Sequence, residues 1–239
     1  MVKKQVDVLV LNSNETITLD SRDSETGLGV IDNGGVAINQ GKVVLAASTE
    51  MLERKFRSRR TIDAEDEIIL PGFVDPHTHL VFAGARDAEF QLRIEGVSYM
   101  DVLREGGGII ETVNRTRQAS ADSLFRSGKR RLDACLESGS TTVEIKSGYG
   151  LRDDEEVKIL KTVSRLKKYH SCRIVSTFMG AHAVPPGETS SEYVLSVINE
   201  MLPQIARAGL AEFCDVFCEQ ARLTQLSRAG FLGRPGNSV

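Results

Sequence analysis

The feature that most constrains the fold is an alternation, from residue 68 onward, of short apolar segments with long stretches of helical periodicity. The segments that read as strands are IILPGFVDPHTHL at 68–80, TTVEIKS at 141–147, RIVSTFMGAH at 173–182 and FCDVFCE at 213–219. The stretches that carry the period of amphipathic helices are 99–105, 121–138, 153–168 and 190–208. Strands that alternate with helices pair in parallel, because each parallel neighbour needs a crossover connection.

The first 69 residues have a different pattern. Short alternating runs are separated by the turn-forming sequences NSN, DNGG and NQG, which predicts small antiparallel strands and hairpins. One helix, at 48–56, interrupts them. We therefore predict a small β-sandwich-like subdomain over 1–69, incomplete by itself, and a partial (β/α) barrel of TIM type over 70–220. The remaining segment, 221–239, is predicted to be a divergent, disordered tail.

Each predicted strand of the second region ends in polar or reactive side chains. In chain order they are His77, His79, Lys146, Tyr149, His182 and Glu219. Chemistry gathered at the carboxyl ends of successive parallel strands is typical of the active face of a (β/α) barrel. A doubly wound open sheet has the same property, but no G-x-G-x-x-G follows the first strand to support dinucleotide binding. Lys146 receives no catalytic role, because a structural ion pair explains it equally well.

His77 and His79 are the strongest indication of a metal site. Residues two apart on a strand point to the same face, so both imidazoles should project together while Thr78 points the other way. An arbitrary His-x-His is more often one core histidine beside one loop histidine, but the buried strand and the βαβ pattern favour metal ligation here. A catalytic zinc normally has about three protein ligands and a water. The pair is therefore half of what a metal centre needs.

Composition excludes several functional classes. The formal net charge is −3 and there is no polybasic run, which argues against a nucleic-acid partner. The first apolar stretch is interrupted by Asp7 and stops at Asn12, too short for a signal peptide or a membrane span. The four cysteines form no Cys-x-x-Cys pair and are predicted to be reduced thiols without a metal role. We expect a cytoplasmic protein that acts on a small molecule.

Several separate motifs, in order along the chain, resemble the imidazolonepropionase family of the amidohydrolase superfamily. They are ILPGFVDPHTHLVFAGARDAEF, GGGI, EIKSGYGL, MGAHAVPP and DVFCE. The resemblance implies a (β/α)8 barrel with a small β-sandwich built from both chain ends. It also implies hydrolysis of the cyclic amide of 4-imidazolone-5-propanoate to N-formimidoyl-L-glutamate, a step of histidine degradation. His77 and His79 match the first two ligands of the family's single zinc or iron ion.

The same resemblance implies substrate contacts at four positions. Arg86 matches an arginine that contacts substrate, and a guanidinium fork can grip a propionate carboxylate in two places. Tyr149 matches a substrate-contacting tyrosine. His182 matches a substrate contact that could polarise the ring carbonyl or hand a proton to the departing nitrogen. Tyr99 lies in a segment that the family places close to the substrate.

The resemblance also implies which parts of the family's site this chain lacks. The family takes its remaining metal ligands from a later histidine and a later aspartate, whereas this chain shows about four barrel strands before it diverges after Gln220. We therefore expect a truncated chain whose open sheet edges favour a homo-oligomer or pairing with a full-length isoform. Two alternatives stay open. One is a catalytically inactive fragment that acts as an interaction or regulatory partner, and the other is a different cyclic amidohydrolase.

Overall fold

The structure, a computed structural model, describes residues 2–20, 27–98 and 107–217. It divides into two compact units, residues 1–72 and residues 73–239. Tyr99, Glu219 and the predicted tail at 221–239 lie outside the described residues. No helix among the described residues has the length and apolar composition needed to cross a bilayer.

The first unit is built on a five-stranded sheet with the order β3-β2-β1-β4 and β5 beside β1. Its elements are β1 (Lys4–Ile17), β2 (Val30–Asn39), β3 (Lys42–Ser48), α1 (Thr49–Lys55), β4 (Phe56–Asp63) and β5 (Ile68–Ile69). As predicted, β1, β2 and β3 pair in antiparallel fashion. The turn from β2 to β3 uses Gln40 and Gly41 at φ values of 50° and 71°, the positive values that a two-residue hairpin needs.

The pairing of β4 and β5 differs from the prediction, because both strands run parallel to β1. The reason is the helix between β3 and β4. Since β3 already runs in the same direction as β1, a crossover through α1 returns the chain parallel to both. Ser48 caps this helix by accepting from the Met51 N–H, and Leu52 is buried among the apolar side chains of the sheet.

The second unit contains a four-stranded parallel sheet with the order β6-β7-β8-β9. Its strands are β6 (Phe73–Thr78), β7 (Ser140–Lys146), β8 (Arg173–Phe178) and β9 (Phe213–Cys214). Its α-helices are α2 (Asp87–Ile94), α3 (Ile109–Gln118), α4 (Ala121–Glu137), α5 (Asp153–Tyr169), α6 (Ser190–Ser196) and α7 (Leu202–Ala208). The spatial order of the strands follows the chain order, as in a (β/α) barrel and unlike a doubly wound sheet. The predicted partial barrel is confirmed.

Several boundaries differ from the sequence pattern, and the strand predicted at 213–219 is shorter because β9 ends at Cys214. The single strand predicted at 68–80 is two strands in different sheets, because Pro71 and Gly72 interrupt the apolar run between β5 and β6. The strand predicted at 173–182 ends at Phe178 and is followed by a 3₁₀ turn. The helix predicted at 190–208 contains a π-helical turn between α6 and α7.

The helices cover the sheet of the second unit through two apolar clusters. One cluster includes buried residues of α4 and α5, among them Leu132 and Leu166, against Val143 and Ile145 of β7. The outer strands, by contrast, leave large apolar side chains exposed, namely Phe73 and Val74 in β6 and Phe213 in β9. Within the described residues, the sheet therefore has two open edges.

Candidate active site

Four aromatic side chains singled out in the sequence lie together at the carboxyl ends of β6, β7 and β8. The ring of His79 is stacked on that of His182, with centroids 4.3 Å apart and planes 7° apart. Its centroid lies 5.7 Å from that of His77 and 5.0 Å from that of Tyr149. The ring centroids of Tyr149 and His182 are 5.4 Å apart. His79 is thus the centre of the group.

The end of β6 places the two histidines. Its pairing with β7 changes register between residues 75 and 78, and the ladder resumes at Thr78. The Thr78 hydroxyl donates to the backbone oxygen of Glu144 at 2.6 Å, which fastens the strand end between the two histidines. His77 is exposed and His79 is half-buried. The site therefore has one imidazole reachable from solvent and one enclosed by aromatic neighbours.

The surroundings of His79 favour the neutral imidazole. Burial, followed by repulsion from His182, His77 and Lys146, lowers its pKa to about 3, although a hydrogen bond with the Ser147 backbone acts the other way. The Nδ1 atom of His79 is buried and has no hydrogen-bond partner among the described residues. A buried nitrogen without a partner is uncommon in proteins, since it loses its hydration without replacement.

These features fit a divalent metal ion. Zinc and iron take neutral imidazole nitrogens as ligands, and the buried Nδ1 of His79 is such an atom. Among residues 2–20, 27–98 and 107–217, no group of three or more His, Cys, Asp or Glu side chains is arranged to hold a metal ion. His77 and His79 would therefore supply only part of a ligand set.

His182 has a defined tautomer. It lies at the end of the 3₁₀ turn Gly180–His182, is buried, and places Nδ1 3.0 Å from the backbone oxygen of Gly148. A carbonyl oxygen only accepts, so Nδ1 must carry the proton and Nε2 the lone pair when the ring is neutral. Any proton exchange by His182 would take place at Nε2.

Arg86 and Tyr149 line a cavity of about 350 Å³ next to this group. Its other lining residues are Phe82, Gly84, Ala85, Asp87, Thr112 and Arg131. Arg86 lies just before α2, is exposed, and has a distant ion pair of 3.8 Å with Glu89. The guanidinium of Arg131 is engaged differently, because it donates to two backbone oxygens and covers the ring of Phe82 at 3.6 Å. Arg86 is the better candidate for binding an anion.

The structural ion pair considered for Lys146 is present, but sequence reasoning did not identify its partners, which form a partly buried ion network. Lys146 donates to Glu144 at 2.8 Å and to Asp215 at 3.0 Å, and the Thr177 hydroxyl donates to Glu144 at 2.5 Å. Burial alone lowers the pKa of Lys146, but its hydrogen bonds to Glu144 and Asp215 outweigh that effect and raise it. The available signal was Glu144-x-Lys146, two opposite charges on one face of a buried strand.

Sequence reasoning also missed Glu156, in the first turn of α5. Its carboxylate is fully buried and accepts three backbone N–H groups, those of Gly148 at 3.0 Å, Gly150 at 2.7 Å and Leu151 at 2.8 Å. These residues form the loop that carries Tyr149. Four acidic residues begin this helix, as they do in many helices, so nothing in the sequence distinguishes Glu156 from the others.

Other residues lie away from this group. His170 is the C-cap residue of α5 and bonds to Asp133 at 3.1 Å. Gly108 precedes α3 and donates its N–H to Glu89 at 2.7 Å. Three of the cysteines are described, and they are free thiols, namely Cys135, Cys172 and Cys214.

Known proteins resemble the chain in sequence. No family model matches it. The imidazolonepropionase of Geobacillus kaustophilus (strain HTA426) is 47% identical over 209 residues, which covers 85% of this chain and 49% of that protein. The imidazolonepropionase of Clostridium tetani (strain Massachusetts / E88) is 42% identical over 226 residues, which covers 91% of this chain and 54% of that protein. The chain thus spans about half the length of the curated relatives it matches.

Solved structures resemble the chain in fold. Guanine deaminase from Bradyrhizobium japonicum has a TM-score of 0.55 at 17% identity, over 87% of this chain and 43% of its own. Atrazine chlorohydrolase from Arthrobacter aurescens TC1, solved in complex with zinc, has a TM-score of 0.53 at 15% identity. The match covers 95% of this chain and 50% of the chlorohydrolase chain. At such identities the likeness concerns the fold alone. By sequence, the chain is similar to imidazolonepropionases along most of its own length and about half of theirs.

Proposed function

We propose that this chain carries the first metal ligands and part of the substrate site of an imidazolonepropionase. The reaction is hydrolysis of the cyclic amide of 4-imidazolone-5-propanoate to N-formimidoyl-L-glutamate, in histidine degradation. The observation that carries the proposal is the group of His77, His79, Tyr149 and His182 at one end of the parallel sheet, centred on the unsatisfied Nδ1 of His79. The similarity to imidazolonepropionases supports the choice of reaction.

The proposed cofactor is one zinc or iron ion. His77 and His79 would hold it together with ligands from outside the described residues. When bound, such an ion supplies Lewis-acid activation of water and of a carbonyl oxygen. The zinc in the atrazine chlorohydrolase structure, which has a similar fold, supports zinc as the first metal to test.

The proposed substrate contacts follow from the cavity beside the histidines. Its volume of about 350 Å³ suits a small molecule. Arg86 would bind the propionate carboxylate, because a guanidinium offers two parallel donors to a carboxylate. Tyr149, which lies between this cavity and the histidines, would place its hydroxyl beside the planar ring.

His182 is the proposed proton-transfer residue. Since its Nδ1 proton is held by the Gly148 oxygen, the proton delivered to the departing ring nitrogen would come from Nε2 of the protonated imidazole. The same N–H could instead polarise the ring carbonyl. Its stacking on His79 places this group directly beside the proposed metal ligands.

We also propose a cytoplasmic location, and self-association or pairing with a longer isoform through the outer strands β6 and β9. The exposed apolar side chains Phe73, Val74 and Phe213 on these strands support such an interaction. The molar mass of the purified protein, measured by light scattering during size exclusion, tests it. A strictly monomeric protein at all concentrations would contradict self-association, and failure to co-purify with the longer isoform would contradict pairing.

Metal content tests the proposed function most directly. We would measure zinc and iron per chain, by elemental analysis of the monodisperse size-exclusion fraction, for the wild type, His79→Ala and His170→Asn. His170 provides a matched control, because it is a histidine of the same unit that is bonded to Asp133 and precedes the amino end of β8, whereas the group lies at the carboxyl ends of the strands. The expected result is about one metal per chain in the wild type and in His170→Asn, and none in His79→Ala.

The outcomes separate the alternatives. Metal that depends on His79 would justify an assay for N-formimidoyl-L-glutamate. No metal in a folded, monodisperse wild type would refute the proposed centre in this chain and favour a catalytically inactive interaction or regulatory partner. Turnover of other cyclic amides, with none of 4-imidazolone-5-propanoate, would favour a different cyclic amidohydrolase.

A further inference from the structure

We propose that Glu156 is a positioning residue of this site. By binding the backbone of the loop that follows β7, it holds Gly148, and through Gly148 it fixes both the tautomer and the place of His182. The inference deepens the proposed function and rests on it, because it assigns to Glu156 a role in the geometry of the proposed proton-transfer residue.

The loop has a conformation that needs external support. Gly148 has a φ of 110° and Leu151 a φ of 51°, in the region that residues with a Cβ rarely adopt. Leu151 is nevertheless a leucine, and its side chain is buried. Such backbone conformations are maintained only where contacts with the surrounding structure stabilise them. The result is a concave backbone whose N–H groups converge on one point.

Glu156 occupies that point. Its Oε1 accepts the N–H groups of Gly150 and Leu151, and its Oε2 accepts that of Gly148. Burial raises the pKa of Glu156, and hydrogen bonds from Ser147 and from the three backbone N–H groups oppose that rise. An acceptor surrounded by donors alone is best matched by the ionised carboxylate, and bonds to an ionised acceptor are the stronger kind. The first turn of α5 adds a favourable helix dipole.

Gly148 transmits this constraint to His182. Its N–H donates to Glu156, while its carbonyl oxygen accepts from Nδ1 of His182 at 3.0 Å. The two residues are also in close packing, since a Cβ on Gly148 would lie 2.8 Å from the Cβ of His182 and 2.9 Å from its Nδ1. A shift of Gly148 would therefore move the imidazole that is stacked on His79.

The neighbouring Glu155 provides a matched control. It lies in the same helix turn with the same side chain, but forms an ion pair with Lys158 three residues later. Glu155→Gln removes one negative charge from the start of α5, as Glu156→Gln does. Only Glu156→Gln also replaces an acceptor of the loop by an amide N–H₂ group. With Oε1 kept toward Gly150 and Leu151, the N–H of Gly148 would face a donor.

The experiment is NMR on the ¹⁵N-labelled full chain, without added metal or substrate. Long-range ¹H–¹⁵N spectra of the imidazoles report the tautomer of His182, and hydrogen exchange reports the protection of the Gly148 amide. In the wild type and in Glu155→Gln we expect the Nδ1–H tautomer. In Glu156→Gln we expect a mixture of tautomers, and about tenfold faster exchange at Gly148, because a charge-assisted hydrogen bond is lost.

A folded Glu156→Gln protein with the wild-type tautomer and unchanged exchange at Gly148 would overturn the proposal, as would equal effects of both glutamine variants. If Glu156→Gln does not fold, the wild type decides. The Nδ1–H tautomer of His182 together with a protected Gly148 amide supports the coupling, and an Nε2–H tautomer or an unprotected Gly148 amide refutes it. None of these spectra needs turnover. Inactivity of every variant, the wild type included, would therefore count against the proposed function alone.

Discussion

Replacing Lys146 by methionine measures how much the ion network below the histidines contributes to stability. The Lys146 side chain is only 6% exposed and bridges Glu144, 18% exposed, and Asp215, 42% exposed. Methionine keeps a flexible apolar stem of similar length, so the packing of the stem is largely retained. The change therefore removes mainly the buried cation.

The expected loss is about 2–3 kcal/mol. Removing one partner of a fully buried ion pair typically destabilises by about 3–5 kcal/mol, because a buried charge is left uncompensated. Two features reduce this value here. The half-exposed Asp215 can regain water, and Glu144 keeps the hydroxyl of Thr177 as a donor.

The matched control is Lys167→Met. Lys167 forms a shorter ion pair with Glu212, at 2.6 Å, but the two side chains are 50% and 47% exposed. Solvent screening limits such a pair to less than about 1 kcal/mol. We would compare both variants with the wild type by urea unfolding, monitored by circular dichroism. The same dependence of the unfolding free energy on urea concentration would be used for all three proteins. Equal losses for the two variants, within about 0.3 kcal/mol, would refute the reasoning that burial and not distance decides the contribution.

Three further predictions concern the same unit. Leu132→Ala in the core should destabilise by about 2–5 kcal/mol, whereas Leu136→Ala at an exposed position should cost much less, as measured by urea unfolding. Thr189→Ala removes the capping box with Glu192 and should cost about 1 kcal/mol in the same assay. Since the folded pKa of Lys146 is raised, its contribution should be complete below about pH 10.5 and be lost as pH rises through the folded value, so stability of the wild type should fall there more than that of Lys146→Met.

The sequence predicted the second unit better than the first because buried parallel strands leave long apolar runs. β7 and β8 were found within a few residues for that reason. The pattern failed at Pro71 and Gly72. There the apolar run continues from β5 into β6, although the two strands belong to different sheets. The pattern also missed α2 and α3, two short helices that offer few turns over which a period can be recognised.

For the site, the sequence predicted which histidines matter but not what holds them. The spacing of His77 and His79 is visible in the chain, whereas the stacking of His182 on His79 depends on two strands that are distant in sequence. The role of Glu156 could not be predicted from the sequence for a different reason. Its partners are backbone N–H groups, which every residue except proline carries, so no residue type marks them.

The loop held by Glu156 also bears on the order in which the site forms during folding. Its hydrogen bonds join residues only 8, 6 and 5 positions apart, so they can form as soon as the first turn of α5 does. The bond from Thr78 to Glu144, which fastens the histidine pair, spans 66 positions and must wait for β6 to dock on β7. Because short-range contacts close at a smaller entropic cost, we expect the Tyr149 loop to be an early product of folding and the approach of the histidines a late one.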